Sequence, residues 1–244
     1  MTEFQPYRIF AFWTGDNPMS ENRKACLATF ERTGLEPVLV TPDNLSEWVV
    51  PDHPIHPAYE HLSAVHRSDY LRAYFMHHYG GGYSDIKTHK ESWINAVNHT
   101  LNSHHVSATG YKEISGGTAA LERQFIDGTY HIHSFRVPFI AASLMSNTMN
   151  LFHFLMIGNC AFYFKPNSRI TRSWLTEVER RLSLLYNSLR HNPAQHPRDK
   201  HEDGNGYPVP WSFILGSITG PLFIRYFSRI SRKLPMPDFS RDYM

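Results

Sequence analysis

Two short runs dense in aromatic and branched side chains flank a single helix-length segment between Tyr7 and Val40, and this pattern most constrains the fold. Tyr7-Arg-Ile-Phe-Ala-Phe-Trp13 closes on the turn cluster Thr14-Gly15-Asp16-Asn17-Pro18, as a buried strand does. Ser20 can cap a helix with Glu21 in its first turn, Ala25, Leu27, Ala28 and Phe30 supply apolar contacts, and Gly34 stops it. Pro37-Val-Leu-Val40 is the second strand. Strand, helix and strand make a βαβ unit, which favours a parallel pair and a right-handed crossover. Ligands of such sheets sit beyond the carboxyl ends of the strands. Trp13, Thr14 and Gly15 are therefore expected on one rim with Thr41, Pro42 and Asp43.

The 244 residues suit one α/β domain, and a hydrophobic share of 41% against 19% charged predicts a folded globule. The net charge of +2 gives no basic surface that would argue for nucleic acid. Cys26 and Cys160 are too few for a disulfide framework, so a reducing, cytoplasmic setting is expected. The start, Met1 to Pro6, lacks a basic stretch followed by an apolar one, and the apolar runs near Phe139 and Leu151 are too short to span a membrane. The 16 histidines are scattered, with no H-E-x-x-H arrangement, and no G-x-S-x-G elbow supports a hydrolase.

Chemistry concentrates in Ser68-Asp-Tyr-Leu-Arg72 and Tyr79-Gly-Gly-Gly-Tyr-Ser-Asp85-Ile-Lys87. A helix over Ser68–Tyr79 projects Asp69 and Arg72 from one face, three residues apart. Gly80-Gly81-Gly82 ends it and permits close backbone approach, and Tyr83 and Asp85 follow on a short strand or extended loop. An ion pair and a helix cap would explain either half alone; together they make a ligand-binding layout. Farther on, short strands are expected at His105–Ala108 and Phe139–Ala142, and a helix at Thr171–Leu189 ended by Asn192-Pro193. The polar segment His191–Gly206 reads as a flexible excursion or a lid, and Pro208–Phe227 rejoins the core.

These motifs resemble those of the DXD-motif sugar transferases found among capsular-polysaccharide enzymes, yeast mannosyltransferases and large clostridial glucosylating toxins. The family pattern is S-D-x-x-R, a short spacer, then G-G-x-Y-x-D-x-D; Ser68, Asp69, Arg72, the glycines, Tyr83 and Asp85 follow it, and Ile9–Gly15 is similar to the family's first strand. The likeness covers roughly residues 7–95. It implies a single GT-A domain over 1–244, with a nucleotide-sugar-binding half at 1–95 and an acceptor-side half at 96–244. It further implies hexose transfer from a nucleotide-diphosphate sugar, a UDP-sugar first, to a glycan hydroxyl, with Mn²⁺ or Mg²⁺ at the diphosphate. On that basis Asp85 holds the metal, Arg72 meets a phosphate or sugar hydroxyl, Asp69 orients Arg72 or accepts from the sugar, and Tyr83 borders the donor. Trp13 stacks on the base, with Thr14, Gly15 and Thr41 beside it.

One departure stands out: Lys87 occupies the second acidic position of the motif. It either pairs with phosphate as a point charge or points to solvent. His201, Glu202 and Asp203 are candidates for a missing ligand, and Glu113 and Asp127 for an acceptor base, with ordinary surface carboxylates as the other reading. Asn159 either faces the acceptor or is a core amide. Cys26 reads as packing, and Cys160 lacks a histidine partner. Arg225–Lys233, basic and partly apolar, allows peripheral contact with an anionic surface or forms a solvated helix face. A nucleotide-sugar-binding protein without turnover is the competing reading.

Overall fold

The computed structural model describes residues 4–240. The βαβ unit is present: strand β1 (Arg8–Phe12), helix α1 (Glu21–Ala28) capped by Ser20, and strand β2 (Glu36–Val40), parallel to β1. The helix is shorter than its apolar pattern suggests. The Thr29 hydroxyl donates to the Cys26 carbonyl at 2.6 Å, and the chain tightens into a 3-10 turn over Thr29–Thr33. Helix α2 (Ala64–His78) begins at Ala64 rather than Ser68 because Ser63 caps it. Gly80 and Gly81 then take φ of 64° and 85°, and a Cβ on Gly80 would lie 2.5 Å from the Pro166 ring. That left-handed pair turns the chain into strand β3 (Gly81–Ser84), which runs parallel to β1.

Helix α3 (Ile94–Asn102) leads to strand β4 (Ala108–Lys112), displaced from the expected His105–Ala108. A three-stranded antiparallel sheet follows, from β5 (Phe125–Ile126), β6 (Thr129–Ile132) and β7 (Phe135–Val137). The strand expected at Phe139–Ala142 is instead the start of helix α4 (Phe139–Leu151), whose buried Ala142 and Met149 lie two helical turns apart. Strand β8 (Ile157–Phe164), helix α5 (Arg169–His191), helix α6 (Gly216–Arg225) and strand β9 (Ile230–Ser231) complete the fold. The basic run Arg225–Lys233 begins on the last residue of α6, passes through a 3-10 turn at Phe227–Arg229 and then holds β9, which pairs in parallel with β4.

The protein is an α/β fold whose mixed six-stranded sheet runs β2-β1-β3-β8-β4-β9, flanked by helices, with the small antiparallel sheet beside it. Strand alternation splits the core into two layers. Phe10, Phe12, Phe162 and Phe164 join residues of α2, α5 and α6, while Ile9, Ala11, Ala161 and Tyr163 join Phe30, Trp93 and Val97. β8 lies antiparallel between β3 and β4, so one sheet contains strands from both halves of the chain. No helix among the described residues is long and apolar enough to cross a membrane.

Arg181 of α5 is fully buried. It donates to Glu177 at 2.7 Å, to the Phe213 carbonyl and Ser217 hydroxyl at 2.6 Å each, and to the His131 carbonyl at 3.2 Å. This clamps the small sheet and the start of α6 to α5. Removing one member of a buried charged set strands the other, so Arg181→Ala should cost about 3–5 kcal/mol in denaturant unfolding. A loss below about 1 kcal/mol would show that this clamp is not structural.

Candidate functional site

A cavity of about 550 Å³ opens at the carboxyl ends of β1 and β3. Its wall includes Trp13, Thr14, Gly15, Asp69, Arg72, Tyr83 and Asp85. Thr41 borders a neighbouring hollow of about 390 Å³, which shares Trp13 and Gly15 with the first. The rim expected from the βαβ unit thus places Trp13 between two recesses. Its indole Nε1 donates to the Asn17 carbonyl at 2.8 Å, which fixes the ring edge. The Thr14 hydroxyl donates to the Ala64 carbonyl at 2.5 Å, tying the β1 rim to the first turn of α2.

Arg72 organises the floor. Its guanidinium donates to Asp85 Oδ1 at 2.9 Å and to the Asn159 carbonyl at 3.3 Å, lies 3.4 Å from Asp69 Oδ1, and stacks 4.7 Å from the Tyr83 ring centroid. The Tyr83 hydroxyl donates to the same Asp85 oxygen at 2.7 Å. One cation therefore sits between two carboxylates, and water reaches little of it. Burial pushes the Asp69 carboxyl up to about 7, with Arg72 opposing the shift and Asp85 adding to it. The Cys160 thiol is raised to about 12, chiefly by burial and then by Asp85, so it stays protonated and is no nucleophile.

Lys87 does not reach solvent. It is 5% exposed, lies outside the cavity wall, and holds its ammonium 4.5 Å from the Phe239 ring centroid. Burial lowers its pKa and the Asp85 charge opposes that, which places Lys87 within electrostatic reach of the motif carboxylate. Arg23 pins the same turn by donating to the Ile86 carbonyl at 2.7 Å.

The segment read as a flexible excursion or a lid is hydrogen-bonded against the cavity rim. Asp199 accepts from the Gln195 and His196 amides at 2.6 and 2.9 Å, and the Pro197 carbonyl accepts from Val65 at 3.1 Å. Pro197 and Arg198 consequently line the cavity, as do Trp211, Ser212 and Leu215. His66, fully buried, bonds to the Tyr207 hydroxyl and the Trp211 carbonyl, and burial lowers it to about 4, so it is a neutral strut at pH 7. None of His201, Glu202 and Asp203 lines the cavity; Glu202 accepts from the Trp211 amide instead. Glu113 is buried away from the cavity and accepts from the Ile114 amide, and Asp127 sits in an exposed hairpin turn. Asn159 and Cys160 border the cavity, whereas Cys26 is buried with its sulfur 3.5 Å from the Thr88 hydroxyl. Arg23, Arg198 and Leu215 were not singled out by sequence patterns, because their roles depend on contacts between distant segments.

No protein-family model matches the chain, and no curated protein matches it significantly. A divalent ion of the Mg²⁺ type takes about six oxygen ligands. Among the described residues no group of three or more Asp, Glu, His or Cys side chains is placed to hold one. Asp85 Oδ1 already receives Arg72 and Tyr83, and a lysine follows two residues later. This donor set does not fit an ion held by the protein itself.

The raised Asp69 pKa has a definite linkage sign. The folded value exceeds the unfolded one, so ionising Asp69 withdraws stability as pH rises from about 4 through about 7. Asp69→Asn lacks this term. Its stability relative to wild type should rise by about 1 kcal/mol or more between pH 5 and pH 8 in urea unfolding, and a flat difference would place the Asp69 pKa in the ordinary range.

Proposed function

We propose that the chain is a GT-A type sugar transferase that moves a hexose from a nucleotide-diphosphate donor, a UDP-sugar first, to a hydroxyl of a glycan acceptor. The observation that carries this reading is convergence: Trp13 from the end of β1 and Asp69, Arg72, Tyr83 and Asp85 from α2 and the β3 turn border one cavity at the strand ends. Trp13, held at its edge, offers a ring face to the base. Breaking the sugar–phosphate bond leaves a nucleoside diphosphate whose negative charge must be met. Arg72 is the fixed cation on the floor, and Arg23 and Arg198 are on the wall. Asp85 orients Arg72 and Tyr83 through its shared oxygen. Asp69, titrating near neutrality, is suited to a hydrogen bond with a donor-sugar hydroxyl.

Pure protein incubated with UDP-sugars should release UDP slowly by hydrolysis and faster with a glycan acceptor. Asp85→Asn should lower turnover more than about a hundredfold, the scale of losing one oriented electrostatic group. Trp13→Ala should weaken donor binding by about 1–3 kcal/mol, the scale of base stacking on an aromatic ring. Equal rates with Mn²⁺ and with a chelator would support the cation set, and strict Mn²⁺ dependence would return an ion to Asp85. Donor binding with no UDP release would favour a nucleotide-sugar-binding protein.

A further inference from the structure

From Val137 to Phe164 the sequence contains no Asp, Glu, Lys or Arg, yet much of the first half of this stretch lies on the surface. On α4 the large apolar side chains Ile140, Leu144 and Leu151 are 70%, 62% and 68% exposed. Their spacing puts them on the face opposite the buried Ala142 and Met149, with the exposed Asn147 between Leu144 and Leu151. Phe135 at 70% exposure precedes the helix, and exposed Phe152 and Phe154 follow it, so exposed apolar side chains also flank α4 in the chain. Isolated exposed apolar residues need no explanation, but a ridge of this length on an uncharged helix does.

The charges around the ridge indicate what covers it. Arg136 is exposed next to Phe135, and exposed Arg225 lies close enough to His133, in the β6–β7 turn, to lower its pKa. At the other end the Lys112 ammonium lies 6.0 Å from the Phe154 ring centroid, and Arg123 is exposed on the turn packed against α4. Two acids flank the ridge: Glu122 bonds to Ser146, and Asp127 is exposed in the β5–β6 turn. A second copy of the chain would bring this cationic rim toward its own like. An anionic surface with an apolar interior matches both the rim and the ridge.

We propose that the α4 ridge, with Phe135 and Phe154 flanking it in the chain and Arg136, Arg225 and Lys112 around it, docks on an anionic phospholipid bilayer. The helix lies in the interface and does not span it. The face belongs to the lobe that carries Ser212 and Leu215, through the packing of α4 on α6. Docking there would hold the cavity near acceptors presented at a membrane.

The test is co-sedimentation of the full chain with vesicles of phosphatidylcholine alone and of phosphatidylcholine with about one-third phosphatidylserine. The expected result is binding to the anionic vesicles, weakened at high salt, and at least tenfold weaker binding to the neutral ones. The pair Ile140→Glu/Leu144→Glu replaces outward-facing side chains and should keep the wild-type circular dichroism and melting midpoint while losing at least tenfold in vesicle affinity. Arg136→Glu/Arg225→Glu should lose the preference for anionic lipid. Absence of wild-type binding, or equal binding by a folded Ile140→Glu/Leu144→Glu variant, overturns the proposal. So does a wild-type dimer that this variant dissociates, since the ridge would then be a self-interface. None of these readouts depends on sugar transfer.

Discussion

The buried guanidinium of Arg72 is the interaction on which the rest depends. A cation removed from water must be met by counter-charge and hydrogen bonds, or the fold loses several kcal/mol. Here the partners come from three elements: Asp69 from α2 itself, Tyr83 and Asp85 from β3 and the turn after it, and the Asn159 carbonyl from β8. Satisfying one side chain therefore draws the helix, the parallel strand and the antiparallel strand to the same point. The site is part of the core, so its geometry is set by folding before any ligand arrives.

The same arrangement sets the electrostatics. Arg72 is shared between Asp85 and Asp69, and burial raises the Asp69 carboxyl to about 7. The guanidinium of Arg72 is thus already paired on the floor, and the surrounding wall holds two more arginines, Arg23 and Arg198. Lys87 changes the meaning of the motif in this setting. Where the motif it resembles has a second acid, this chain has a buried ammonium 4.5 Å from the Phe239 ring centroid and outside the cavity wall.

Local patterns carried the βαβ unit, the α2 face with Asp69 and Arg72, the glycine turn and the long α5, because each is written in spacing over a few residues. The central place of β8 is not written that way: an antiparallel strand joined to β3 and β4 across long stretches of chain leaves no local mark. The polar stretch before Tyr207 looks loose by composition, yet its buried carboxylate, Asp199, accepts from two backbone amides and gives the stretch a defined turn. Phe139–Ala142 is a short apolar run that fits strand and helix equally, and the repeat that decides it appears only when the window reaches Leu151. Asp127, read from the sequence as an acceptor base or a surface carboxylate, forms with Gly128, at φ of 47° and 71°, the hairpin turn between β5 and β6. The positions of Arg23 and Arg198 on the cavity wall come from tertiary packing alone.

The central claim is that Trp13 and Arg72 address one activated-sugar nucleotide from opposite ends. A crystal structure of the protein with UDP tests it directly. The account predicts the uracil ring against Trp13 and the diphosphate directed toward Arg72 and the Asp85–Lys87 turn. UDP bound at another surface, or no binding at millimolar nucleotide, would contradict it.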